Sequence, residues 1–387
     1  MSSITALASI FSFLGCLVLL IISISNLSHF RKLSEYKTIR KLPKLSVLLP
    51  VRNEEENIEK CILSILKQDY PDFELLVLLD NCEDKTEAIL RRLQRRSKKL
   101  QIIKGKPLPE GWYGKHWACY QLSQYAQGEL LLFTDADTSY IRKDAFRRAV
   151  SALLIEGVDF LTGLPKEEAI SLGEKLAIPF ISFGIHSVIP VKLISRISSP
   201  VATVTIGQFM LFKREAYENI GGYEAIRSEV ADDIALGRRI KEFGYKWFFL
   251  DVSEYVSCRM YKSLGSVIEG FAKNLFGVFN YRILTYFVVW SLVLVIFINP
   301  LYVLSLKFLG YSIPKTVLYN SLGSLMALVI LFYISYNRFK YPILYVLLYP
   351  LTVLIWFYMA LLSFYYTITG KASWKGRKVL EHEIRWL

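Results

Sequence analysis

Residues Glu129–Thr138 read E-L-L-L-F-T-D-A-D-T, an apolar run ending in two aspartates around one alanine. Leu130-Leu131-Leu132-Phe133 fits a short strand buried on both faces of a sheet. Side chains alternate along a strand, so Asp135 and Asp137 leave the same side where it ends. Two carboxylates converging there are a poor packing choice and a good site for a hard divalent cation. An open α/β sheet binds its ligands at the carboxyl ends of its strands. The competing reading is a turn capped by the two aspartates ahead of a helix from Arg142.

Outward from this stretch, strands alternate with helices, which predicts an α/β fold with a mostly parallel, Rossmann-like sheet covered by helices on both faces. Lys44–Pro50 is an apolar strand that runs into Arg52-Asn53-Glu54-Glu55-Glu56-Asn57, with acids in a helix's first turn as its dipole favours. Ile58, Cys61, Ile62, Ile65 and Leu66 recur at helical spacing and give that helix one face for the sheet. Glu74–Leu79 predicts a second strand, again with a carboxylate, Asp80, at its end. A basic helix with Arg91, Arg92, Arg95 and Arg96 follows, then a strand at Leu100–Ile103.

Lys106–Cys119 is a loop rich in Gly, Pro and aromatic residues that leads into a helix. Gly114-Lys115 at that helix start offers a phosphate a backbone dipole and a point charge; the alternative is a solvated lysine. His116, near Trp112 and Trp117, is either a base or a packed residue. Further strands are expected at Val158–Gly163, Gly207–Phe212 and Trp247–Leu250, with a helix at Lys213–Ile220 closed by Gly221-Gly222. Asp232-Asp233 opens a helix carrying Ile234, Leu236 and Ile240, and N-capping is the alternative to a chemical role.

The chain has 387 residues, and its apolar excess sits at the two ends. Ile4–Ser25 carries no charge and is long enough to cross a bilayer, as are Leu284–Leu306, Thr316–Tyr336 and Ile343–Thr369. The expected layout is a transmembrane anchor over residues 1–28, a soluble domain over 29–282, transmembrane segments over 283–369 and a basic tail over 370–387. The first span has no basic leader and no small-x-small site after it, which argues against a cleaved signal peptide. Arg31, Lys32, Lys37, Arg40, Lys41 and Lys44 follow it, against Glu35 alone. By the positive-inside rule the N-terminus lies outside and the domain is cytoplasmic, in a multi-pass protein of the cell membrane.

One plus three spans would place the tail outside, yet it carries Lys371, Lys375, Arg377 and Lys378. A re-entrant or interfacial late segment resolves the conflict, and Asn299-Pro300 marks Leu284–Leu306 as the first suspect. Ala177–Val204 is apolar but broken by Pro179, Pro190 and Pro200 and studded with Lys192 and Arg196. It reads as amphipathic pieces on the membrane surface, within an interfacial stretch over about 170–205, or as a buried core segment; a second interfacial stretch is expected over about 263–280. The formal charge of +13 gathers beside these segments and on one helix, which suits anionic head groups and argues against nucleic acid. Cys16, Cys61, Cys82, Cys119 and Cys258 form no C-x-x-C, as expected of reduced thiols and not of a zinc site.

The polar positions, in chain order, are Asn53/Glu54, Asp80, Lys115, Asp135/Asp137, Asp232/Asp233 and Arg259. The stretches P-V-R-N-E-E-E-N-I, L-L-D-N-C-E-D-K-T, T-D-A-D-T, G-G-Y-E and A-D-D-I-A-L-G-R-R resemble family 2 glycosyltransferases of the GT-A fold. G-W-Y-G-K-H-W-A-C-Y-Q, F-T-D-A-D-T-S-Y-I-R-K-D-A, R-M-Y and the tail W-K-G-R are similar to membrane-bound bacterial enzymes that glycosylate lipids, including 4,4'-diaponeurosporenoate (carotenoid) and hopene-associated glycosyltransferases. The resemblance implies a nucleotide-sugar donor, by default a UDP-sugar, a Mg²⁺ or Mn²⁺ ion, and a lipid-like acceptor at the bilayer.

The same resemblance implies roles for individual residues. Pro50, Arg52 and Glu54 would line the nucleotide pocket, Asp80 would contact the base, and Lys115 would lie near the diphosphate. Asp135 and Asp137 would hold the metal that bridges the diphosphate. The second acidic pair would supply the general base, Asp233 ahead of Asp232. Arg259, with Gln208 and Trp117, would face the acceptor or the leaving diphosphate.

Two departures stand out. The Q-x-x-R-W motif of processive polysaccharide synthases is replaced by Ser257-Cys258-Arg259-Met260-Tyr261, which argues for transfer of a single sugar. Asp-Asp also stands where Glu-Asp is commoner, which leaves the base between two neighbours. The alternatives are a processive synthase, or a non-catalytic membrane protein with a degenerate domain; the retained acidic residues argue against the second. A transporter would need ionisable groups inside its spans, and the late apolar segments carry none.

Overall fold

A computed structural model describes residues 3–371, 373–374, 377–378 and 383–386. Lys375 and Gly376 of the W-K-G-R motif lie outside the described residues. The chain divides into two compact units. One comprises Phe30–Glu168 and Leu193–Met260; the other comprises Met1–His29, Ala169–Lys192 and Tyr261–Leu387.

The first unit is α/β. Its strands are β1 (Leu45–Val51), β2 (Phe73–Leu79), β3 (Leu100–Lys104), β4 (Leu130–Phe133), β5 (Thr138–Tyr140), β6 (Phe160–Leu164), β7 (Lys166–Glu167), β8 (Met210–Lys213), β9 (Trp247–Asp251) and β10 (Val256–Cys258). Seven of them form one sheet in the order β3-β2-β1-β4-β8-β6-β9. All neighbours are parallel except at β8, which runs antiparallel to both β4 and β6. Every residue of β2 is buried, as a central strand covered on both faces requires. The edge strand β3 keeps only Leu100 fully buried. Helices Ile58–Leu66 and Ala145–Ile155 bury their apolar stripes in the core that includes Leu49, Leu75 and Leu132. Each such aliphatic side chain contributes about 1.5–3 kcal/mol on burial.

The turns after β1 and β2 use Asn53 and Asn81, both at φ 49°, a left-handed conformation that asparagine tolerates. Asn53 Oδ1 also accepts the Glu83 amide at 2.9 Å, lacing the two turns together at the carboxyl ends of their strands. A second, three-stranded sheet, β5-β10-β7, was not foreseen from sequence. Its strands have two or three residues each, too few to show a period, and they read T-S-Y, K-E and V-S-C. This sheet matters because β5 begins directly after Asp137 and pairs Thr138 with Cys258 of β10.

The second unit is helical. Among the described residues, three helical stretches are long and apolar enough to cross a membrane: Ser3–His29, Lys315–Arg338 and Ile343–Ile368. A fourth crossing results if Ile283–Phe297 and Asn299–Phe308, bent by 42°, act as one span. The bend falls at the Asn299-Pro300 break read from sequence, where proline cannot continue the preceding hydrogen-bond ladder. Leu172–Ala177 and Pro179–Val188 also belong to this unit, with Phe183 buried. Asn26 ties the first helix to them, donating to the His186 and Ile189 carbonyls at 2.8 and 2.7 Å.

Candidate active site

Lys115 sits in the first turn of helix Gly114–Tyr125, after the loop that sequence placed there. Its ammonium lies 3.0 Å from Asp135 Oδ1 and 3.4 Å from Asp232 Oδ2. One lysine thus bonds the first aspartate of both acidic pairs. Asp135 follows β4, and Asp232 opens helix Asp232–Glu242. The D-x-D stretch forms a tight turn into β5, not a cap on the next helix, and the Thr138 amide donates to the Asp135 carbonyl at 3.1 Å.

The four carboxylates have different environments. Burial and the charge of Asp135 and Glu54 push Asp137 up to about 7. Asp137 Oδ1 is buried and has no hydrogen-bond partner among the described residues. Its carbonyl accepts the Arg259 amide at 3.1 Å. Burial and Asp232 push Asp233 up to about 7 as well, although its oxygens accept the Ile234 and Gly207 amides at 2.8 and 3.1 Å. Burial also raises Asp135, against the pull of Lys115. At Asp232 burial is outweighed by Lys115, His116 and the Tyr223 phenol, which donates at 3.0 Å, so its carboxyl is lowered. Lys115 is held charged, because Asp135 and Asp232 outweigh its own burial.

The other expected positions divide. Arg52 Nη1 donates to the Asp80 carbonyl at 3.3 Å and stands 4.0 Å from its carboxylate, joining the ends of β1 and β2. Pro50 pairs with Leu78 in the same ladder. The Glu54 amide donates to Thr86 Oγ1 at 2.8 Å, and the Glu54 carboxylate accepts Asn57 Nδ2 at 2.8 Å. Gln208 follows Gly207 in the Asp233 environment; its carbonyl accepts Thr134 Oγ1 at 3.0 Å, and its amide lies 3.2 Å from Met260 Sδ. Trp117 goes elsewhere. It packs with Trp112 and Tyr120, and its indole donates to the Lys106 carbonyl at 3.1 Å. His116 is buried against Tyr223 and Tyr113, its Nδ1 is 3.2 Å from the Arg227 carbonyl, and burial lowers its pKa.

Sequence reasoning did not assign Tyr223, the Gly207 amide, Cys258 or Glu167. Tyr223 stood in the G-G-Y-E stretch, but nothing local in that stretch gives its phenol to Asp232. Glu167 on β7 is buried, and burial together with Asp137 raises it well above the usual range.

Among the described residues, no group of three or more His, Cys, Asp or Glu side chains forms a metal cage. Two carboxylates from one turn, with the buried Asp137 Oδ1 left for a further bond, still fit a hard cation of the Mg²⁺ kind. Such an ion keeps water and phosphate oxygens and needs only one or two protein carboxylates.

A mostly parallel sheet with a D-x-D turn at its centre, a lysine against it and a second acidic pair opening a helix define a GT-A transferase domain, and the protein is a glycosyltransferase. Residues 46–221 match the glycosyl transferase family 2 model. The 4,4'-diaponeurosporenoate glycosyltransferase of Staphylococcus aureus (strain USA300) is 26% identical over 280 residues, which are 70% of this chain and 72% of that protein. The mannosyltransferase of Pyrobaculum calidifontis, solved in complex with GDP-Man and Mn²⁺, superposes with a TM-score of 0.57 at 18% identity, over 94% of this chain and 98% of that one. That second likeness is one of fold.

Proposed function

We propose that the protein moves a single sugar from a UDP-sugar to a lipid-like acceptor, with inversion at the anomeric carbon. The observation that carries this reading is the shared lysine: Lys115 bonds Asp135 and Asp232, while Asp137 and Asp233 are both pushed up to about 7. Asp135 and Asp137 would hold Mg²⁺ or Mn²⁺, which when bound offsets charge on the diphosphate. Lys115 supplies a second positive charge at the same place, where charge develops as the sugar–phosphate bond breaks. Asp233 takes the proton of the acceptor hydroxyl. The acceptor oxygen bonds the anomeric carbon, the bond to the diphosphate breaks, and its electron pair leaves with UDP. Arg52, Glu54 and Asp80, with Pro50, form the nucleotide end of the site. Arg259, whose amide bonds the Asp137 carbonyl, and Gln208, whose carbonyl accepts Thr134 Oγ1, would face the acceptor or the diphosphate.

The S. aureus relative, named for a carotenoid acid, supports an acceptor dissolved in the membrane. The apolar helices support a multi-pass layout, with the domain on the basic, cytoplasmic side as the run Arg31–Lys44 favours. The test is UDP release by the purified protein in detergent with Mn²⁺, over a panel of UDP-sugars, with and without a lipid extract of the host. Release that needs lipid and favours one sugar supports the reading. No binding of any UDP-sugar and no release under any lipid overturns it in favour of a degenerate domain.

A further inference from the structure

We infer that the helical unit contains a site for the head group of an anionic phospholipid. A cavity of about 340 Å³ opens between helices Leu264–Ala272 and Tyr349–Ile368. Gly265, Glu269 and Lys273, spaced by four, line it from one side. Tyr358 and Tyr366, two turns apart, line it from the other, and Lys371 closes its end. Two ammonium groups against one carboxylate make the lining net positive. Lys371 Nζ donates to the Tyr365 phenol at 3.1 Å and stands 5.3 Å from that ring's centre, so its position is fixed by a neutral group that leaves its charge intact.

The volume suits a small polar ligand, not a whole lipid. Helix Tyr349–Ile368 is the last apolar stretch, and its outer face exposes Leu354, Tyr358, Leu361 and Tyr365. Tyrosines near the end of an apolar span, with lysines just beyond, mark the depth at which phosphates of a bilayer lie. A phosphodiester seated between Lys273 and Lys371 would lay its acyl chains along that outer face. The inference rests on reading this unit as embedded in a bilayer.

The full-length protein in mixed-lipid nanodiscs, analysed by native mass spectrometry for retained lipid, tests it. Phosphatidylglycerol should be retained over phosphatidylcholine. Lys273→Gln with Lys371→Gln should lower that preference by on the order of tenfold, and the paired Arg substitutions should keep it. A Cβ added at Gly265 meets nothing nearer than Ser263 Oγ at 3.9 Å, so Gly265→Leu should fill the cavity and displace the lipid with both charges in place. Equal retention of the two lipids overturns the site, as does wild-type binding in both the Gln and Leu variants. Displacement by inorganic phosphate at matching concentration would make it a free-phosphate site and overturn the lipid assignment. A protein that enters nanodiscs without preferring phosphatidylglycerol defeats this inference alone; one that fails to enter them defeats the membrane reading beneath it.

Discussion

The two acidic pairs are alike in composition and opposite in placement. Asp135 and Asp137 stand in a turn after a strand, held by a second sheet; Asp232 and Asp233 open a helix, and Asp233 accepts two backbone amides. In each pair one carboxylate is bonded to Lys115, and the other is pushed up to about 7 by burial and its neighbour's charge. The difference lies in what the second carboxylate has left to do. Asp137 keeps a buried oxygen for a cation, whereas Asp233 has its oxygens oriented by amides, as a base needs. Under the proposed function, similar charge placed on a turn would hold a metal in one case and, placed on a helix start, would transfer a proton in the other.

Asp233→Asn should cut transfer most, by on the order of 10²–10⁴-fold, with UDP-sugar binding kept; unchanged turnover would remove the base assignment. Lys115→Met should follow at roughly 10²–10³-fold in kcat, because both pairs lose their common cation; an effect on KM alone would show that Lys115 binds the ground state and does not stabilise the leaving group. The pH profile of kcat/KM should rise between about pH 6 and 8. As the proposed base Asp233 would work deprotonated, its pKa is raised to about 7, and so activity should be gained as pH climbs through that value. A profile flat over that range would contradict the raised carboxyl. Tyr223→Phe should have the smallest effect, about fivefold, as expected for one lost hydrogen bond to a charged group that keeps its other partners.

Much of the α/β unit was legible because β1, β2 and β4 are runs of buried aliphatic residues followed by polar ones. The reversal of β8 was not, since M-L-F-K carries no mark of direction. The small sheet was hidden by its length, and with it the bond of the Arg259 amide to Asp137 and the pairing of Cys258 with Thr138. Both acidic pairs and Lys115 were legible one by one. That a single lysine serves both pairs depends on a helix start and two distant chain segments meeting, which no local pattern encodes. Trp117, two residues after Lys115, joins an aromatic cluster with Trp112 and Tyr120 that no local pattern announced.

The division of labour between the pairs is tested most directly by calorimetric titration of UDP into Asp137→Ala and Asp233→Asn, each with Mn²⁺ and with chelator. Mn²⁺-dependent binding should disappear in the first variant and persist in the second. Loss in both, or persistence in both, would contradict that division.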